Sequence, residues 1–202
     1  MEFRKLEEKD AEQFSALIVN MYSHLESLEW FTPMPYDLQN VIGMIQSPRF
    51  YIIGAFVDEK LVGVSSLDYK CGKLIGKIDF PKNCNTDKLV EIGFNLVHFD
   101  FRGHKIMQQL IDVLLEKIRQ DGFEWVFTKV HKDNIASNKS CFNKGFIKWC
   151  GYIKPVDKID FESLSSQPFF SSVGKKNAKN TLEKFKDSDN IIVDYNILIQ
   201  KL

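Results

Sequence analysis

The run of the chain best placed to do chemistry is residues 89–107. Its first part, 89–98, reads as a β-strand. Side chains alternate across a strand, so Val90, Ile92, Phe94 and Leu96 are expected on one, core-facing side. Glu91, Gly93, Asn95 and Val97 are expected on the other, which carries a carboxylate, a glycine and an amide and leaves polar space. After Phe101 the chain enters a helix through Arg102-Gly103-His104-Lys105-Ile106-Met107. Such an entry presents unbonded backbone amides at a helix N-terminus, where the partial positive charge attracts phosphate. Arg102, His104 and Lys105 add cationic character. The same run also fits an ordinary strand-to-helix connection with a solvated basic start.

Other reactive side chains carry less pattern. Cys71, Cys84, Cys141 and Cys150 lie far apart with no Cys-x-x-Cys pair, so free thiols are expected rather than disulfides or a zinc site. His24, His98, His104 and His131 share no ligand spacing, and no metal is expected. His98 and His104 flank the loop and contact either phosphate or solvent. Asp68 and Tyr69 end a strand that either lines an acceptor pocket or carries a surface pair.

The elements that must position these residues follow from periodicity and punctuation. A short strand is expected at 3–6. Asp10 is expected to cap a helix carrying Phe14, Leu17, Ile18, Met21, Leu25 and Leu28, stopped by Thr32-Pro33-Met34-Pro35. Asp37 should cap a second helix with Leu38, Val41, Ile42 and Ile45. Residues 50–57 and 60–69 read as a hairpin around Asp58-Glu59. A short extra strand is expected at 74–80. A helix over 102–120 should bury Ile106, Leu110, Val113, Leu114 and Ile118, and Gly122 suits its left-handed end. Then follow a strand at 124–131, a helix at 134–144 and a strand at 146–153. Residues 156–189 read as an irregular excursion with a helix at 178–185, and 191–199 as a final strand. Helices between strands in the second half imply parallel neighbours and a layered α/β (α+β) domain spanning 1–202. The last strand either completes the sheet or exchanges between the subunits of a homodimer.

Composition narrows the classes of function. Of 202 residues 44% are hydrophobic, with 17 Phe and 3 Trp, which supports a packed core and excludes disorder. Lys+Arg and Asp+Glu each number 27, so no basic balance supports nucleic acid or an anionic membrane as partner. No stretch reaches the roughly 18 apolar residues of a membrane span. The charged N-terminus lacks a signal-peptide apolar core, so a cytoplasmic location is expected.

Two segments resemble a known family. Val97-His98-Phe99-Asp100-Phe101-Arg102-Gly103 is similar to the V-x-P-x-[YF]-R-G run of the GNAT superfamily of N-acetyltransferases. Asn134-Ile-Ala-Ser-Asn-Lys-Ser-Cys-Phe-Asn-Lys-Gly-Phe146 resembles its N-x-x-[AS]-…-K-x-G-F helix and turn. The resemblance implies the GNAT acyltransferase fold, a mixed central sheet of about seven strands flanked by helices. It implies transfer of an acetyl group from acetyl-CoA, without a metal, to a primary amine on a small molecule or peptide. Asn95, Leu96 and Val97 would hold the pantetheine arm and thioester carbonyl. The amides of Arg102, Gly103, His104, Lys105, Ile106 and Met107 would hold the pyrophosphate, and Asn134 would close the cofactor site. Glu91 matches the base of histone-type members, with a rim carboxylate as the alternative. Cys141 stands where many members carry a tyrosine acid, with a packed core residue as the alternative. Lys105, Met107 and Phe99 depart from the pattern, where Gly, Gly or Ala, and Pro are usual. These departures admit a second reading: a non-catalytic module that binds acyl-CoA.

Overall fold

The computed structural model describes residues 1–24, 30, 36–71, 75–156 and 191–202. The expected helix positions Leu25 and Leu28, the stop at 32–35 and the excursion beyond residue 156 lie outside them. Seven strands form one sheet: β1 (Glu2–Lys5), β2 (Phe50–Val57), β3 (Lys60–Asp68), β4 (Leu89–Val97), β5 (Trp125–His131), β6 (Ile147–Val156) and β7 (Ile191–Lys201). Four α-helices accompany them: α1 (Ala11–Ser23), α2 (Leu38–Gln46), α3 (Ile106–Gln120) and α4 (Ile135–Phe142). The expected strand at 74–80 reduces, among its described residues, to a single bridge between Ile75 and Ile78. Val156, assigned to the excursion, continues β6 instead, together with Pro155.

The sheet order is β1-β2-β3-β4-β5-β7-β6. The β4–α3–β5 crossover makes the expected parallel pair. The β5–α4–β6 crossover does not. β7 inserts between β5 and β6 and runs antiparallel to both, so β6 lies one strand farther out than the helix–strand alternation implies. β7 carries Ile197, Leu198 and Ile199 on successive positions, all buried, and such a run fits an interior strand rather than an edge.

Each face of the sheet is covered. Ile106, Leu110, Ile111, Leu114, Leu115 and Ile118 of α3 pack on Ile53, Val90, Ile92 and Val126. Val113, expected on that stripe, is 36% exposed, and Ile111 and Leu115 take its place. Phe14, Leu17, Ile18 and Met21 of α1, with Val41 and Ile45 of α2, pack on Ile52, Val64 and Leu96. Ile52 and Ile53 are neighbours on β2 yet join different clusters, as alternation across a strand requires.

Asp37 caps α2 as expected, accepting from the Asn40 N–H at 3.0 Å. Asp10 does not cap α1. Its carboxylate accepts from both terminal nitrogens of Arg4, each at 2.7 Å, and from the Glu7 N–H at 2.9 Å. A bidentate charge-assisted pair is stronger than a neutral cap bond and wins the carboxylate.

The feature that positions the site is a bulge in β4. Val64 pairs with Leu96 and Ser66 with Gly93, so Phe94 and Asn95 together face the single residue Ser65. Phe94 takes the extra turn at φ 49°. A bulge resets the alternation of faces. Val90 and Ile92 therefore meet α3, whereas Phe94 and Leu96 meet the α1–α2 layer. The strict alternation that grouped all four on one side is corrected here.

Candidate active site

β4 and β5 pair only over Leu89–Trp125, Val90–Val126 and Glu91–Phe127. Beyond that point β4 bends at its bulge, while β5 continues to His131 on the arm of β7. The strands separate, and the facing edges of β4 after Glu91 and β5 after Phe127 bond no neighbouring strand across the gap among the described residues. An extended polar chain entering such a gap can bond a strand edge as an added strand would.

The gap opens toward the N-terminus of α3. A 3-10 turn at Phe99–Phe101 leads into it, where the helix was expected to begin at Arg102. That turn is pinned to the end of α1. The Phe99 N–H donates to Asn20 Oδ1 at 2.9 Å, and the Phe99 ring stacks on His24 with centroids 4.2 Å apart. Gly103 follows at φ 85°, and Lys105 then takes the left-handed region at φ 59°. The first bond of α3 runs from the Gln109 N–H to Lys105 O at 3.1 Å. The amides of the preceding turn thus have no partner within the helix, and no side chain caps it. Such an uncapped start, with cationic side chains around it, has the geometry to cradle an anion.

A cavity of about 420 Å³ lies against this cradle. Among the expected site residues, Asn95, Val97, Arg102, Gly103, Lys105, Ile106, Met107 and Asn134 line it. Asn95 is steadied by Ser65, whose hydroxyl lies 2.6 Å from its Oδ1. Asn134 caps α4 by accepting from the Ser137 N–H at 3.1 Å. Leu96 and His104 do not line the cavity. The Leu96 side chain is buried against the α1–α2 layer, and the exposed His104 ring bonds the carbonyls of Phe101 and Arg102 through Nδ1. Sequence reasoning missed one wall altogether. Ser137, Lys139, Ser140 and Asn143 of α4 and its C-terminal turn line the cavity, as do Met21, His24 and Trp30. The polar side of α4 was legible in Ser137, Ser140 and Lys139, but nothing marked which side faced α3.

Glu91 and Cys141 do not line this cavity. Glu91 occupies the last paired rung of β4 and β5 and is 5% exposed. Its Oε1 lies 2.8 Å from Lys129 Nζ, and its Oε2 has no hydrogen-bond partner among the described residues. Burial pushes its carboxyl above the usual range, and Lys129 opposes that push. Cys141 points into the α3 core, and burial pushes its thiol up to about 12. That environment is the packed alternative. Among the described residues no cluster of His, Cys, Asp and Glu could hold a metal ion, and no helix is long and apolar enough to cross a membrane.

Residues 12–146 match the sequence model of the acetyltransferase (GNAT) family. No curated protein sequence matches the chain. Solved structures share its fold at low identity. The ribosomal-protein-alanine N-acetyltransferase of Brucella melitensis is 15% identical at a TM-score of 0.66, with 100% of each chain covered. Salmonella typhimurium yncA, solved with its cofactor acetyl-CoA, is 14% identical at 0.65, over 100% of this chain and 94% of that one. The PaiA N-acetyltransferase of Thermoplasma acidophilum, solved with coenzyme A, is 15% identical at 0.59, over 100% and 98%. The bulged strand, the cradle and α4 all fall inside the matched region, which spans well over half of the sequence, and the chain belongs to the acetyltransferase (GNAT) family.

Proposed function

We propose that this protein is an N-acetyltransferase that moves an acetyl group from acetyl-CoA to a primary amine by direct attack in a ternary complex. The observation that carries the reading is the separation of β4 from β5 beside the uncapped N-terminus of α3. A long acyl carrier with a diphosphate needs both features at once. Gly103 suits a close approach, since a Cβ added there would meet nothing within 4 Å and yet be strained at φ 85°. The amides of residues 103–107 would hold the pyrophosphate, with Arg102, Lys105 and Lys139 adding charge. The β4 edge at Asn95 and Val97 would bond the pantetheine arm. Relatives solved with acetyl-CoA or coenzyme A support the same ligand.

Acetyl-CoA supplies an activated thioester. The residues supply position and proton handling. An alkylammonium has a pKa near 10, so it must lose a proton before its nitrogen can attack. Glu91 is the proposed acceptor of that proton, through a bridging water because it does not line the cavity. Burial raises its carboxyl above the usual range, which makes it a stronger base than a solvated carboxylate. The new C–N bond forms as the C–S bond breaks, and the sulfur leaves with the electron pair. Acceptors of the right chemistry are polyamines, amino sugars, peptide N-termini and lysines.

The test runs acetyl-CoA, CoA and ATP in parallel thermal-shift assays. Thiol release is then followed with spermidine, glucosamine, an alanyl peptide and Nα-acetyl-lysine. Stabilisation by both CoA species but not ATP, with amine-dependent thiol release, is the expected result. A second reading is acyl-CoA binding without turnover, and Met107 in the cavity wall favours it. CoA-dependent stabilisation with no thiol release across the panel would select that reading.

A further inference from the structure

Three charged groups face the Glu91 carboxylate: Lys129 from β5, Asp68 from the opposing rung of β3, and Arg49 ahead of β2. Arg49 is committed to Asp68, with Nε at 2.9 Å and Nη2 at 2.5 Å. Those two charges offset each other, and Lys129 is the cation bonded to Glu91 itself. Lys129 lies two residues past Phe127, on the same face of β5 and just beyond the last rung shared with β4. The contact divides the carboxylate. Oε1 is held at 2.8 Å, while Oε2 is buried and without a partner among the described residues. Ser66 Oγ, on the adjacent same-face rung beside Gly93, is likewise buried and without one. A buried polar atom left unbonded is costly, and such atoms mark places where a ligand completes the set.

We infer that Lys129 is a positioning residue of the proposed transfer: it clamps one oxygen of Glu91 and leaves the other to take the proton of the acceptor ammonium through a bridging water, since Glu91 does not line the cavity. This rests on the reading of Glu91 as the base. The step balances as acyl transfer. The ammonium gives one proton, relayed by that water, to Oε2, its freed lone pair forms the C–N bond, and the C–S pair leaves on sulfur. Removing the Lys129 ammonium leaves burial to act alone on Glu91, and burial favours the neutral acid.

The test measures kcat against pH for the wild type, Lys129→Met, Lys129→Arg and Glu91→Gln, with the KM for acetyl-CoA in each. Lys129→Met should move the acid limb of kcat upward by roughly one pH unit or more, with that KM unchanged. Lys129→Arg should restore the limb, and Glu91→Gln should abolish the Glu91 limb, leaving only a rise near the amine pKa of about 10. A Lys129→Met limb at the wild-type position, with Glu91→Gln still abolishing it, overturns the role of Lys129 and spares Glu91. A wild-type limb in Glu91→Gln overturns both. A readout independent of turnover is the pH dependence of the melting temperature, compared between Lys129→Met and the Lys129→Met/Glu91→Gln double variant. A group raised in the folded state adds stability below its unfolded pKa, near 4.3, and loses it as pH rises through the folded value. Lys129→Met should stretch that loss to higher pH than in the wild type, and the double variant should remove it. Identical profiles for all three proteins overturn the proposal. Should Lys129→Met fail to fold, Lys129→Gln is read in its place.

Discussion

Glu91 shows how little a residue's type says without its surroundings. A carboxylate on a strand is usually solvated, but this one is almost fully buried and half bonded. If it is the base, Glu91→Gln should lower kcat near neutral pH by about 10²- to 10⁴-fold, the usual span for a positioned proton acceptor. The deficit should shrink as pH nears the amine pKa of about 10, where free amine needs no base. A deficit constant with pH in a steady-state thiol assay would remove the role. Asp10 illustrates a different use of a carboxylate. The paired Arg4 guanidinium holds it below the usual range. Its folded value is depressed, so its contribution is present above the unfolded pKa of about 3.9 and is lost as pH falls through the folded value. In thermal melts Asp10→Asn should be less stable than the wild type at pH 7, and the gap should close on acidification below pH about 4.

At the scale of the element, the entry to α3 forms the proposed cofactor cradle and carries Lys105 where the resemblance leads one to expect Gly. A left-handed non-glycine residue costs about 1 kcal/mol relative to glycine. Lys105→Gly should therefore raise the melting temperature while weakening stabilisation by CoA, because strain and a phosphate-facing charge leave together. Unchanged CoA stabilisation would show that the lysine only occupies the turn. In α4, Asn134→Ala removes the cap bond to the Ser137 N–H and should cost about 1 kcal/mol in chemical denaturation. It should also lower CoA stabilisation, since Asn134 lines the cavity.

At the scale of the whole molecule, β7 joins β6 to the rest of the sheet. It bonds β5 along Trp125 to His131 and β6 along its other edge. Ile197 is 0% exposed at its centre. Ile197→Ala should cost about 2–5 kcal/mol by the usual measure of a buried large-to-small change. Because β7 supports β5, the loss should be global, with far-UV and near-UV signals falling in one transition. A variant whose near-UV signal melts first would show that β7 is an annex rather than a member of the core.

Much of this was legible in the residues. Apolar spacing gave α1, α2, α3 and the hairpin, and turn residues gave the cap of α2 and the end of α3, because these depend on neighbours within a few positions; α1 ends earlier and α3 starts later than their residues suggested. The cradle was legible for the same reason: a strand, a glycine and a helix start are consecutive. The sequence alone thus determined the fold class, the family resemblance and the uncapped helix start at the proposed site. Tertiary structure alone decided the rest. The bulge that turns Phe94 and Leu96 to the other face is set by pairing against Ser65, thirty positions away. The place of β7 between β5 and β6 is set by which buried strand completes the sheet. The bond of Lys129 to Glu91 exists because two parallel strands diverge just past the Glu91 rung. Contacts between distant segments leave no period in a single sequence, since each partner carries only half of the pattern.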